Sequence, residues 1–185
     1  MKFNIFLNNP VTFRLLRECK NPQDIRRYFD ELMLAHNSGD DQLKKESIDA
    51  MKILVQNKNI PSTVLVQLVS VDVSIALEIC KYTNDTNSLN VVWMFWKKTM
   101  FGTEGEVKDQ KLLRTLLKNK AKDSLPDDIF LDMIETISEN ESAGRFILMI
   151  ARAAKNRKAV RDAIREISWF VSRRRKKMER VFREG

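Results

Sequence analysis

The side chains in this chain that could do chemistry gather towards its C-terminal end, and they are cations and an indole rather than nucleophiles. Residues 145 to 185 hold 14 Lys/Arg and 4 Asp/Glu, a net of +10, whereas residues 1 to 144 hold 19 and 21. Wound on a helix at about 100° per residue, residues 157 to 183 place Arg161, Arg165, Trp169, Arg173, Lys176, Arg180 and Arg183 along one side. An indole flanked by guanidinium groups can stack on a nucleobase while the cations hold phosphates. The same residue types anchor protein interfaces, and a neighbouring helix could equally cover Trp169. The run Arg173-Arg174-Arg175-Lys176-Lys177 points all round the helix. Because Arg174 falls in the apolar stripe, the helix is expected to leave the body near there. Close-packed cations are relieved best by phosphates, with counterion release and steep salt dependence. A solvated tail and a nuclear-localisation signal are the other readings of such a run.

Elsewhere the chemistry is sparse. Asp128, Asp132, Glu135 and Glu139 recur at helical spacing and present one acidic face. Carboxylates at that density can hold a divalent metal, but a solvated face is the commoner use, and no metal is expected. Pairing of this face with the basic helix, within a molecule or between copies, is a route to self-association. The single histidine, His36, falls at a helix end, where it complements the dipole. Cys19 and Cys80 have no histidine near them in sequence and read as small buried hydrophobes. No phosphate-binding glycine loop, serine elbow, HExxH or paired CxxC occurs. No catalytic residue and no cofactor is therefore assigned.

The elements that must carry these residues are helical. Gly and Pro are scarce, at 5 and 4 of 185, and Leu, Ile, Lys, Glu and Arg abound, which predicts an all-α fold. Asn21-Pro22 with Asp24 starts a helix running to about His36 on Ile25, Phe29, Leu32 and Met33. Asp40 opens another with Leu43, Ile48, Met51, Ile53, Leu54 and Val55 on its buried face. Further starts fall at Pro61, at Asn87 or Ser88, at Pro126 and at Glu141 or Ser142, for about ten helices, the last much longer than the rest. Val91-Val92-Trp93-Met94-Phe95-Trp96 reads as a core helix buried nearly all round, with a partner groove rimmed by Lys97 and Lys98 as the alternative. Lys2 to Leu7 reads as extended, and Phe101 to Glu106 as a loop. The longest nearly uncharged apolar stretches, Ile60 to Leu77 and Ser88 to Trp96, are interrupted by Ser, Gln and Asp or fall short of the roughly 20 apolar residues of a membrane span, and no signal-peptide pattern opens the sequence.

One internal similarity is visible. Ile60-Pro61-Ser62-Thr63-Val64-Leu65-Val66-Gln67-Leu68-Val69 matches Leu125-Pro126-Asp127-Asp128-Ile129-Phe130-Leu131-Asp132-Met133-Ile134 in class at nearly every position, and fades upstream. The succession of helix, Pro-initiated helix and helix resembles stacked hairpins of the HEAT or armadillo kind. The expected organisation is a helical body over residues 1 to 156. The basic amphipathic helix 157 to 185 docks on it through Val160, Ala163, Ile164, Ile167, Phe170 and Val171, and its distal end is exposed.

The expected function is a non-enzymatic nucleic-acid-binding or nucleoprotein component acting through Arg161, Arg165, Trp169, Arg173, Arg174, Arg175, Lys176, Lys177 and Arg180. The alternative is an adaptor, assembly factor or inhibitor that meets an acidic protein through the same helix. A more distant third is an enzyme acting on nucleic acid. The expected compartment is the cytoplasm, or the nucleus in a eukaryotic setting, with no membrane partner.

Overall fold

A computed structural model describes residues 9–100, 110–138, 144–154 and 157–166. Among these residues the fold is all-helical, with no strand. The helices are α1 (Pro10–Glu18), α2 (Pro22–His36), α3 (Asp41–Val55), α4 (Ser62–Val69), α5 (Val73–Tyr82), α6 (Thr86–Met100), α7 (Gln110–Lys118), α8 (Asp127–Ser138), α9 (Gly144–Ala153) and α10 (Lys158–Glu166). A short 3-10 turn, Lys120–Ser124, precedes α8.

Side-chain oxygens that satisfy free N–H groups start α1, α2, α3, α5 and α6, whereas Pro61 precedes α4 without a side-chain cap. Asn9 accepts from Val11 N at 2.8 Å, Asn21 from Gln23 N at 3.0 Å, and Asp40 from Gln42 N at 2.8 Å and Leu43 N at 3.1 Å. Asp72 accepts from Ser74 N at 2.7 Å, and Asp85 from Ser88 N at 2.9 Å. Pro10 and Pro22 fill the first helical turns of α1 and α2, where no N–H is needed. Gly39, at φ +82°, makes the turn from α2 to α3, a backbone region that side chains with a Cβ rarely adopt.

Contacts divide the chain into two compact units, residues 1–92 and 93–185, with the boundary inside α6. In the first, α3 packs against α1, α2 and α5, and α4 packs on α5. Its core gathers Leu16, Ile25, Phe29, Leu32, Ala50, Met51, Leu54, Val64, Leu68, Ile75 and Ile79. The buried face of α3 is Ser47, Ala50, Met51, Leu54 and Val55. It is rotated from the expected one: Leu43 is exposed, and Ile48 and Ile53 are half-buried. Asn57, only 2% exposed, ties this unit together. Its Nδ2 donates to the carbonyls of Leu16 at 2.7 Å and Cys19 at 2.9 Å, closing the C-terminus of α1, and its Oδ1 accepts from Asn59 N at 2.8 Å.

In the second unit α9 packs against α7 and α8, and α10 packs on α8 and α9. Trp93 and Trp96 are fully buried and stack with centroids 5.3 Å apart, and Phe146 meets Trp96 edge-on at 6.2 Å. Both tryptophans are core, but α6 is not buried all round, because Met94 is 54% exposed and Lys98 is exposed. The extended reading of Lys2 to Leu7, the loop at Phe101 to Glu106 and the helix start at Glu141 or Ser142 lie outside the described residues.

Three helices of each unit share a pattern of buried positions. Ala50, Met51, Leu54 and Val55 of α3 correspond to Leu112, Leu113, Leu116 and Leu117 of α7, at a constant offset of 62 residues. Asn57 and Asn119 follow at the same offset. Both are buried, and each accepts from the N–H two residues on, Asn59 or Ala121. Beyond the 3-10 turn the offset becomes 65, pairing Leu65, Leu68 and Val69 of α4 with Phe130, Met133 and Ile134 of α8. At an offset of 71, Ile75, Ala76, Ile79 and Cys80 of α5 pair with Phe146, Ile147, Ile150 and Ala151 of α9. The match fades upstream of Ile60 and Leu125 because three extra residues enter between Asn119 and Leu125.

Candidate functional site

The two units differ sharply in charge. Residues 1–92 contain 11 Lys/Arg and 11 Asp/Glu, and residues 93–185 contain 22 and 14, so the whole net +8 belongs to the second unit. Inside it, the near-neutral total of residues 93–144 conceals a segregation: α7 and the turn after it are cationic, and α8 is acidic.

On α10 the apolar side is built as its spacing requires, with Val160 and Ile164 buried against α8 and α9 and Ala163 half-buried. Arg165 is exposed, with its guanidinium 3.4 Å from the Asp162 carboxylate, a long contact between solvated groups. Arg161 is half-buried. Among the sequence-predicted site residues, Trp169, Arg173, Arg174, Arg175, Lys176, Lys177 and Arg180 lie outside the described residues, as does Glu139 of the acidic face.

Arg157, just ahead of α10, has a different role from its basic neighbours. Its side chain pairs with the Asp127 carboxylate, donates to the Asp123 carbonyl at 2.7 Å and lies over the Phe130 ring at 4.7 Å from its centroid. It fastens the start of α10 to the start of α8. The neighbouring cations Arg152, Lys158 and Arg161 have no ion-pair partner among the described residues.

The acidic row is also partly structural. Asp132 takes the indole N–H of the buried Trp93 on Oδ2 at 2.6 Å and the Lys97 ammonium on Oδ1 at 2.6 Å. Both its oxygens are therefore engaged in joining α8 to α6. Asp128 and Glu135 are exposed. Among the described residues no group of three or more His, Cys, Asp or Glu is placed to hold a metal ion.

The remaining reactive groups are not assembled for catalysis. Cys80 is buried, and burial pushes its thiol up to about 12, so it stays protonated at neutral pH. Cys19, expected to be buried like Cys80, is half-buried at the end of α1, with its Sγ 3.7 Å from the Asn21 carbonyl. It lines an open groove of about 370 Å³ with Val11, Leu15 and Tyr28. His36 is the last residue of α2, where its charged form would favour the helix dipole, and its Nδ1 is buried with no partner among the described residues.

Sequence reasoning missed one exposed cationic surface, the outer face of α7. Lys111, Arg114 and Lys118 are exposed there, opposite Leu112, Leu113, Leu116 and Leu117. Its signal was present as three cations at i, i+3 and i+7, but summing charge over residues 1 to 144 cancelled it against α8.

No protein-family model, no curated protein and no solved structure matches this chain. Its function must therefore be argued from its own residues. Among the described residues no helix is long and apolar enough to cross a membrane.

Proposed function

We propose that this protein is a non-enzymatic nucleic-acid-binding or nucleoprotein component, with the second unit as its binding half. The observation that carries this reading is the segregation of charge: unit 1–92 is neutral, and unit 93–185 holds all of the net +8. Folding does not require this imbalance, since the first unit builds a comparable helical core with equal numbers of acids and bases. Self-repulsion among so many cations disfavours the compact state, and a polyanion relieves it. Arg165 on the solvent side of α10 leads into the segment that carries Trp169, Arg173, Arg174, Arg175, Lys176, Lys177 and Arg180. Continuation of this amphipathic helix beyond Glu166, with a stacking role for Trp169, belongs to the same proposal. So does a compartment where nucleic acid is met, cytoplasmic or nuclear.

The shared pattern of buried positions supports a second part of the reading, that α3 to α5 and α7 to α9 are two copies of one three-helix repeat, stacked in the HEAT or armadillo manner. In each unit the third helix of the set packs on both of the others. The first copy would then serve as scaffold, and the second would have acquired the binding charge.

Trp169 offers the direct test. Because Trp93 and Trp96 are fully buried, emission quenched by single-stranded oligonucleotide is expected to come from Trp169. Titration of the full chain with (dT)20 should quench its emission. Replacing Trp169 by alanine should abolish the quench and weaken binding by about 1–3 kcal/mol, the value of one stacked base. Binding that is unchanged in this variant would remove Trp169 from the site. An absence of binding at low salt would refute the nucleic-acid reading, and the acidic-protein adaptor would stand in its place.

A further inference from the structure

The outer face of α7 is exposed and cationic. Lys111, Arg114 and Lys118 stand at successive turns of one side and span roughly 10 Å along the axis, about the rise of three nucleotides on one duplex strand. Neither Arg114 nor Lys118 has an ion-pair partner among the described residues. Thr115 lies beside them, and its hydroxyl donates to the Lys111 carbonyl at 2.7 Å.

The chain supplies its own comparison. At the offset that superposes the buried positions of α3 on those of α7, Asp49, Lys52 and Gln56 occupy the places of Lys111, Arg114 and Lys118. Lys52 and Asp49 neutralise each other at 3.0 Å. The same helical position is therefore built in this molecule without excess charge, so the cations of α7 are not needed to fold it.

We infer that the α7 face binds the sugar–phosphate backbone of a nucleic acid, as a contact additional to the C-terminal segment. The inference rests on the nucleic-acid reading above. A phosphate backbone is favoured over an acidic protein because, among the described residues, the exposed positions 111, 114 and 118 of this face carry no aromatic or large aliphatic side chain. Protein interfaces draw most of their energy from Trp, Tyr and Arg, of which this face offers Arg114 alone, whereas phosphate contacts need only charge and counterion release. Contacts made to phosphates alone contribute equally whatever the base sequence.

The test is anisotropy of fluorescein-labelled (dT)20 across a salt series, using the full chain, Arg114→Gln/Lys118→Gln, and the control Lys44→Gln/Lys45→Gln on exposed positions of α3. If both α7 cations meet phosphates, the log–log salt slope of the α7 variant falls by about 1.4, at about 0.7 per single-strand contact. The α3 control, with the same loss of charge, leaves the slope unchanged. The single variant Lys118→Gln installs the residue that α3 already carries, and it guards against a folding defect in the double variant; its slope falls by about half as much. A wild-type slope in the α7 variants overturns the inference while leaving the nucleic-acid reading intact. Equal losses in the α7 and α3 variants also overturn it, since net charge alone would then be responsible. Displacement of (dT)20 by a 20-residue polyglutamate at equal charge overturns it in favour of an acidic protein. A wild-type chain that binds no oligonucleotide at any salt refutes the underlying reading, and this inference with it.

Discussion

Replacing Asn57 by alanine tests how the first unit is held together. The wild-type side chain makes three hydrogen bonds, to the carbonyls of Leu16 and Cys19 and from the N–H of Asn59, and it is only 2% exposed. Each such bond contributes about 1 kcal/mol net, and a buried carbonyl left without a donor costs about 1–3 kcal/mol. Cys19 O keeps a weaker bond at 3.3 Å from Asn59 Nδ2, which offsets part of the loss. The expected destabilisation is about 3 kcal/mol, or a fall of ~1.5 M in the urea midpoint for a slope of ~2 kcal/mol per molar. The transition should be followed by far-UV circular dichroism, because all three tryptophans lie in residues 93–185 and their emission does not report on this unit. Asn57→Asp should cost at least as much, since a carboxylate keeps the acceptor but faces two carbonyl oxygens. A midpoint shift below about 0.3 M for Asn57→Ala, with an unchanged slope, would refute the claim that this residue closes α1 onto the turn after α3.

Four further outcomes follow from the second unit and the thiols. Asp132→Ala removes the acceptor of the Trp93 indole and the Lys97 ammonium, and it should destabilise the protein by about 2 kcal/mol, with a shift in tryptophan emission on denaturant titration; an unchanged midpoint and spectrum would contradict the assigned bonds. Arg157→Ala should cost about 1–2 kcal/mol in the same assay while leaving oligonucleotide affinity unaltered, since its guanidinium is bound to α8; a large loss of affinity at constant stability would place Arg157 in the binding surface instead. The folded pKa of Cys80 is raised, so its stabilising contribution is complete below about pH 9 and is lost as pH climbs towards 12. The stability difference between wild type and Cys80→Ala should shrink by about 2 kcal/mol from pH 8 to 10.5, and a difference that is flat with pH would contradict its burial. Cys19 alone should react with a thiol reagent at pH 8.

The all-helical fold was legible because capping chemistry is local. Asn21-Pro22, Asp40, Pro61 and Pro126 announce helix starts without reference to the rest of the molecule. Asn9-Pro10 has the same grammar as Asn21-Pro22 and starts α1. The break between α4 and α5 at Ser70–Asp72 hides in an apolar run, and Asp72, its cap, is the single charged residue there. The rotation of the α3 face away from Leu43 reflects tertiary choice. Ser47 satisfies its hydroxyl on the Lys44 carbonyl at 2.7 Å, so a serine enters the core while a leucine stays out. Long-range pairings such as Asn57 with Leu16, or Trp93 with Asp132, have no local signature. The charge of α7 was visible in the sequence, but a sum over 144 residues cannot separate a basic helix from the acidic one that follows it.

The most direct test of a polyanion-binding second unit is the salt slope of (dT)20 binding by the full chain, set against a full-length variant with Arg173, Arg174, Arg175, Lys176 and Lys177 all changed to glutamine. The account predicts tight binding at low salt, weakening steeply as salt rises, and a slope smaller by up to about 3.5 in the variant, about 0.7 for each lost contact. Equal slopes for the two proteins, or no measurable binding of either at low salt, would contradict it.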